Sequence, residues 1–138
     1  MKRYVVGFLF RNNGTEVALV RKLKPEWQRG RLNGIGGKIE PNEDSRAAMM
    51  REFAEETGAN VDDWRAFAWL RGHGWAVDMY VSHAPVEVRT VEDEEIAWFP
   101  VAEIPFLPTI QNLRWLIPLA LDKDRVTARV DDWSVPQP

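Results

Sequence analysis

The chain reads as an α/β or α+β sandwich, with strands and helices mixed along one domain spanning residues 1–138. Three observations point there. Short runs of β-branched and aromatic residues, such as residues 4–11 and 75–82, are bounded by Asn, Gly and Pro. Two other stretches carry apolar residues at helical spacing. No internal repeat, low-complexity tract or linker divides the 138 residues, which suffice to bury a real core. Layers of helix and sheet are the stable way to bury both kinds of apolar face.

The elements follow in order. Residues 4–11 predict a first strand that turns at Asn12-Asn13-Gly14 into a second over residues 16–21. Residues 22–31, rich in charge and broken by Pro25 and Gly30, predict a loop. Residues 33–38 are glycine-dense and read as irregular. A helix is expected to begin near Glu43-Asp44 and to end at Gly58, a C-cap residue. Ala47, Met50 and Ala54 recur at helical spacing and predict its packed face. Residues 64–70 and 75–82 predict a hairpin through Arg71-Gly72-His73-Gly74. A loop over 84–94 leads to a short strand at 96–100. After a turn at 105–108, residues 110–121 predict a C-terminal helix that contains Pro118, and residues 126–133 a last strand.

Composition narrows the function classes. A net charge of −3 argues against a general binder of nucleic acid or anionic membranes. The absence of cysteine removes disulfides, thiolate nucleophiles and cysteine-ligated zinc, and fits a cytoplasmic chain. The apolar stretch 5–10 is too short for the core of a signal peptide, and no run approaches membrane-spanning length. His73 and His83 lack companions for a zinc site or a nucleophilic triad, and His73 reads as a turn residue.

Residues 37–59, GKIEPNEDSRAAMMREFAEETGA, carry the chemistry. Glu52, Glu55 and Glu56 stand at i, i+3 and i+4, so a helix projects all three from one face. Crowded carboxylates repel unless a cation sits among them, and hard oxygen ligands suit Mg²⁺ or Mn²⁺. Mg²⁺ in turn usually accompanies a phosphate-bearing substrate. A merely solvated acidic face would not require glycines at both ends, nor Glu43 and Arg51 at fixed offsets.

The same segment resembles the Nudix box: Gly, five residues, Glu, seven residues, Arg-Glu, an apolar residue, any residue, Glu-Glu, any residue, Gly, apolar. Gly37, Glu43, Arg51, Glu52, Phe53, Glu55, Glu56, Gly58 and Ala59 are all in register. Seven of those positions demand one residue type, which average usage meets by chance on the order of 10⁻⁸ per start site. The resemblance implies a Nudix-type α/β/α sandwich with a mixed sheet between helices. It implies Mg²⁺-dependent hydrolysis of a phosphoanhydride, with the metal held by Glu52, Glu55, Glu56 and the carbonyl of Gly37. It places Arg51 and Glu43 behind those ligands, fixing their rotamers.

Three glutamates are candidates for the general base: Glu55 inside the box, and Glu94 or Glu95 in the acidic cluster at 92–95. Such a cluster is equally read as a solvated turn. Lys38 is a candidate for a phosphate contact. The loop 21–31 gathers five cations, some of which would hold distal phosphates while Trp27 stacks on a base.

Within the family the chain is similar to the MutT-like nucleoside triphosphate pyrophosphohydrolases, and among them to hydrolases of oxidised purine nucleoside triphosphates. The approach to the box, residues 30–38, carries the likeness and implies a base contact by Asn33. Trp98-Phe99 and Ile104-Pro105-Phe106 extend it. The pocket residues of that group, a tryptophan and two adjacent aspartates, correspond by ungapped count to Ile110, Asn112 and Leu113. Asn112 thus becomes a substrate-binding candidate with an altered hydrogen-bond code, and specificity for oxidised guanine does not carry over. The marks of other subfamilies are missing: no proline lies about sixteen residues past the box, where Gly74-Trp75-Ala76 stands. The expected partner is a nucleotide, to a monomer or homodimer. The competing readings are a non-catalytic nucleotide sensor, against which every box glutamate is retained, and a pyrophosphohydrolase of RNA 5′ ends.

Overall fold

The computed structural model describes residues 1–131. Strand β1 (Lys2–Arg11) is central. Asn12 and Asn13 adopt left-handed backbone angles (φ 54° and 56°), which Asn tolerates better than most side chains, and lead into β2 (Glu16–Arg21). One edge of β1 runs parallel to β6 (Trp75–Ser82), from Lys2 opposite Trp75 to Leu9 opposite Ser82. Its other edge is shared. Residues 9–11 pair antiparallel with β2, and residues 4–7 pair antiparallel with β4 (Ile35–Lys38).

Ala18 of β2 pairs with Leu9 on one side and with Trp98 on the other, so β7 (Ile96–Pro100) lies on the far edge of β2. The two-residue β3 (Leu32–Asn33) pairs with the end of β2. Beyond β6 come β5 (Arg65–Gly72), its antiparallel hairpin partner, and β8 (Ala128–Val130), parallel to β5. The sheet is mixed, as expected.

Alternation along β1 feeds two cores. Phe8 and Phe10 face one side with Leu19, Phe67 and Val77, under α2 (Leu113–Ala120). Val5 and Leu9 face the other with Ala18, Val20 and Ile35, under α1 (Ser45–Thr57). Phe53 of α1 meets Trp64 edge-on at 5.1 Å. Each fully buried Leu or Phe contributes roughly 1.5–3 kcal/mol, so both faces are well anchored. The helices therefore flank the sheet as the sandwich requires. Among the described residues no helix is long and apolar enough to cross a membrane.

Four expectations need correction. The glycine-dense segment 33–38 is not irregular but supplies the end of β3 and all of β4. Its glycines permit the pairing: a Cβ on Gly36 would lie 1.9 Å from the Val5 carbonyl oxygen. The packed face of α1 is Ala48, Met49 and Phe53, while Ala47 is exposed and Met50 and Ala54 are half-buried. The C-terminal helix starts at Leu113 rather than residue 110, because the Ile110 N–H bonds the Leu32 carbonyl and belongs to the sheet side of the turn. Pro118 lies inside α2 without ending it. The last strand is only Ala128–Val130, and the part of the expected span at 132–133 lies outside the described residues. The loop 22–31 also contains one 3-10 turn at Glu26–Gln28, and another, Val101–Phe106, precedes the turn before α2.

Candidate active site

Helix α1 is fastened at both ends. The Asp44 carboxylate accepts the Ala47 N–H at 3.4 Å, and Gly58 takes the left-handed C-cap conformation at φ 76°. Ser45 Oγ donates to Asp78 Oδ2 at 2.6 Å and lies 2.8 Å from the Tyr80 hydroxyl, tying the first turn to β6. At the other end the Arg89 and Val91 N–H groups bond the carbonyls of Thr57 and Glu56 at 3.1 and 3.2 Å. Carbonyls that a helix terminus leaves open are thereby satisfied by the chain that goes on to present Glu92 and Glu94.

A cavity of about 410 Å³ opens between α1, β4 and these loops. Glu52, Glu56, Gly36, Gly37 and Lys38 line it, together with Asn33 and Gln28. Lys22, Lys24, Glu92 and Glu94 complete its charged wall.

Arg51 organises the acidic cluster. Its Nε and Nη2 donate to the two oxygens of Glu43 at 2.8 and 2.9 Å, a bidentate pair. Nη2 also donates to the Lys38 carbonyl at 3.0 Å, and Nη1 to Glu52 Oε1 at 3.0 Å and Glu55 Oε1 at 3.3 Å. The guanidinium, followed by the Glu40 N–H, holds the Glu43 carboxyl down to about 2. One arginine thus reaches β4 and three box glutamates.

Glu56 is in the opposite situation. It is 7% exposed, and its Oε2 has no hydrogen-bond partner among the described residues. Burial pushes its carboxyl up to about 8, against the pull of Lys22 and with Glu52, Glu92 and Glu94 adding to the rise. Burial also raises Glu52, partly offset by Arg51. A Cβ on Gly37 would stand 2.4 Å from Glu52 Cδ, so only glycine leaves room for that carboxylate against β4. Buried carboxylate oxygens with one unpartnered atom, facing a glycine backbone, fit a hard divalent cation. The three expected ligands are nonetheless not gathered: among the described residues no group of three His, Cys, Asp or Glu side chains converges into a cation cage. Glu55 is outside the cavity lining, about half exposed and turned to Arg51.

The remaining candidates separate. Asn33 and Lys38 line the cavity. Glu94 lines it too, but serves the loop. Its Oε1 accepts Lys22 Nζ at 2.9 Å and its Oε2 the Leu23 N–H at 2.6 Å. Burial pushes its carboxyl up, but these bonds outweigh that and hold it below the usual range. Glu95 is exposed and contributes its carbonyl to the Arg21 N–H. Glu94 lies in the bend over 92–94 and Glu95 just beyond it, and only Glu94 reaches the cavity.

Trp27 is not among the lining residues and packs against the core under α2. Asn112 precedes α2 and is also absent from the lining, flanked by Ile110 and Leu113 in the core. Lys22 and Lys24 of the cationic loop also line the cavity, whereas Gln28 and Glu92 were not singled out as site residues from the sequence. For Glu92 the acidic run was a signal; for Gln28, uncharged within a charged loop, there was none.

A family model described as the NUDIX domain matches residues 1–120. An oxidized purine nucleoside triphosphate hydrolase of Danio rerio is 31% identical over 104 residues, covering 70% of this chain and 66% of that one. An NAD-capped RNA hydrolase of Stutzerimonas stutzeri is 29% identical over 114 residues, 78% of this chain and 41% of its own. The chain thus spans less than two thirds of the length of either relative. A CTP pyrophosphohydrolase of Escherichia coli is 28% identical over 125 residues, 80% of this chain and 92% of its own. Among solved structures, the MutT protein of Bacillus halodurans superposes with a TM-score of 0.75 at 22% identity, covering 95% of this chain and 90% of that one. The NUDIX domain of Shewanella oneidensis NrtR, complexed with ADP ribose, gives 0.71 at 17% identity, covering 84% and 83%. These two likenesses establish the fold.

Proposed function

This chain belongs to the NUDIX family, and from that premise we propose that it hydrolyses a phosphoanhydride of a nucleoside triphosphate, releasing the monophosphate and pyrophosphate. The observation that carries this reading is the pairing of Glu56, buried with an unpartnered oxygen, and Glu52 against the Gly36-Gly37 backbone in one cavity. Glu52, Glu56 and the Gly37 carbonyl would hold Mg²⁺ or Mn²⁺, with Glu55 joining from the rim. When bound, the ion neutralises phosphate charge and acidifies water.

The side chains perform the rest. Arg51 holds Glu43 and Glu52 in one network that Glu55 joins by longer bonds, so the first two carboxylates are oriented before substrate arrives. Lys22, Lys24 and Lys38 supply positive charge to the polyphosphate along the wall of the cavity. Of the three base candidates, Glu55 fits best. Glu94 is committed to Lys22 and Leu23. Glu95, exposed and outside the lining as Glu55 is, shares no hydrogen bond with the box among the described residues, whereas Glu55 meets the same Arg51 nitrogen as Glu52. Glu55 is exposed at the rim and bonded only loosely, at 3.3 and 3.4 Å, so it can turn to a water.

The test is pyrophosphate and phosphate release from a panel with Mg²⁺ or Mn²⁺. It should contain unmodified and oxidised NTPs and dNTPs, ADP-ribose, a dinucleoside polyphosphate and triphosphorylated RNA. Metal-dependent release of pyrophosphate from one triphosphate class, abolished by Glu56→Gln, is the expected outcome. Tight nucleotide binding with no turnover of anything in the panel would replace the enzyme with a sensor.

A further inference from the structure

Gln28 is an uncharged polar side chain of the cavity wall, outside the acidic box, and it is buried, at 2% exposure. Its backbone is fixed by the 3-10 turn: its N–H bonds the Pro25 carbonyl, and its own carbonyl accepts the Arg31 N–H, both at 2.9 Å. Its side-chain Oε1 accepts from Asn33 Nδ2 at 3.2 Å. Asn33 is held in turn by its strand pairing with Val20. The orientation of both amides follows from one backbone group. The Gly34 N–H donates to Asn33 at 2.8 Å, which makes that atom Oδ1. The amide nitrogen of Asn33 must then be the end facing Gln28, and the atom of Gln28 that meets it must be its oxygen.

Among the described residues, the groups left over are therefore donors: the NH₂ of Gln28 and the second N–H of Asn33. Asn33 and Gly37 are four residues apart, at most about 14 Å along extended chain, which is the reach of a nucleotide from its base to its phosphates. Resting on the nucleotide reading above, we propose that Gln28, acting with Asn33, selects the base and favours 6-oxopurine nucleotides over 6-aminopurine ones. The neighbouring O6 and N7 of a 6-oxopurine are both acceptors, matching two adjacent donors; adenine offers N7 but places a donor, N6, where O6 would be. A donor facing a donor in a buried site leaves both unpaired, and sites built on such contacts discriminate strongly.

Inosine and adenosine triphosphates separate the two cases with nearly the same shape. Their dissociation constants should be measured by calorimetry in Ca²⁺, so that turnover is not needed for the reading. The wild type should bind the inosine nucleotide about tenfold or more tightly, and Gln28→Met, close in volume but without the amide, should bring the two within about threefold. Gln28→Ala serves the same purpose if the Met variant has a lowered melting midpoint. A wild type that binds both equally, favours adenosine triphosphate or binds neither overturns the proposal, as does a Gln28 variant that keeps the wild-type ratio. Discrimination without pyrophosphate release in Mg²⁺ would instead remove the hydrolase reading and leave Gln28 in place. Pyrophosphate release with no discrimination would do the reverse.

Discussion

Helices α1 and α2 cover opposite faces of one sheet and do so on different terms. α2 turns Leu113, Leu116, Ile117 and Ala120 inward, and no charged side chain joins them. α1 turns Ala48, Met49 and Phe53 inward, and Glu56 and Thr57 with them. Glu56 follows Met49 by seven residues, close to two full turns, so it must share that side. α1 therefore buries a carboxylate that α2 would exclude, and gives up part of its packing to do so. The ends compensate. Asp44 and Gly58 cap α1, Ser45 ties it to β6 and the Arg89 and Val91 N–H groups close its C-terminus, whereas Asn112 makes no side-chain cap at the start of α2. One helix is held by its apolar face alone, and the other by an apolar face supplemented by polar anchors at its ends. The difference teaches that α2 answers for stability and α1 for chemistry.

The largest effect should come from the helix without chemistry. Leu116 is fully buried in the core under α2. Leu116→Ala should lower unfolding free energy by about 2–5 kcal/mol, the usual result of truncating a buried leucine. Turnover per folded molecule should change little. Urea unfolding measures the first and active-site-normalised rates the second. A loss of stability under about 1 kcal/mol, or a selective loss of rate, would break the division between the helices.

The matching change on α1 should do the opposite. Glu56→Gln is expected to reduce turnover at least about 10²-fold, as loss of a metal ligand does. The melting midpoint of the metal-free protein should be unchanged or higher, because an amide is cheaper to bury than a carboxylate. The rise in that midpoint on adding Mg²⁺ or Mn²⁺ should shrink in the variant. Scanning fluorimetry with and without the ion, beside a rate assay, checks all three. A variant that loses stability but not rate would make Glu56 a structural residue.

The same contrast explains what could be read from the chain. The i, i+3, i+4 spacing of Glu52, Glu55 and Glu56 and the glycines around them placed the helix between Asp44 and Gly58, where it is found. The spacing could not say which side met the sheet. Apolar residues occur on both sides of α1, so Ala47, Met50 and Ala54 read as a packed face although Ala48, Met49 and Phe53 form it. Their partners, Val5, Leu9 and Ile35, lie on strands far away in sequence. Trp27 and Asn112 misled for a related reason. An aromatic residue in a cationic loop suits stacking, but the turn at Glu26–Gln28 sends Trp27 to the core and Gln28 to the cavity. Counting forward to Asn112 gave its position and not its direction, which Ile110 and Leu113 set by packing.

The smallest effect, and the one that most sharply separates the two helices, is in their response to acid. The face of α2 has no ionised group among its buried residues, so the loss from Leu116→Ala should be the same at every pH where the protein folds. Glu43, before α1, is held down to about 2 from an ordinary 4.5 by the Arg51 guanidinium and the Glu40 N–H. A carboxyl lowered by folding stabilises the folded state above its unfolded value, and that contribution disappears as pH falls through the folded value. The Glu43–Arg51 pair should therefore support the fold fully above about 4.5 and fade between there and about 2. Glu43→Gln should lower the urea midpoint at pH 7 and flatten its decline across that window. The pair is partly solvent-exposed and screened, so the change should be modest, and 1 M salt should reduce it further. Parallel curves for wild type and variant from pH 5 to 2.5 would show that Arg51 orients the glutamates without coupling them to folding.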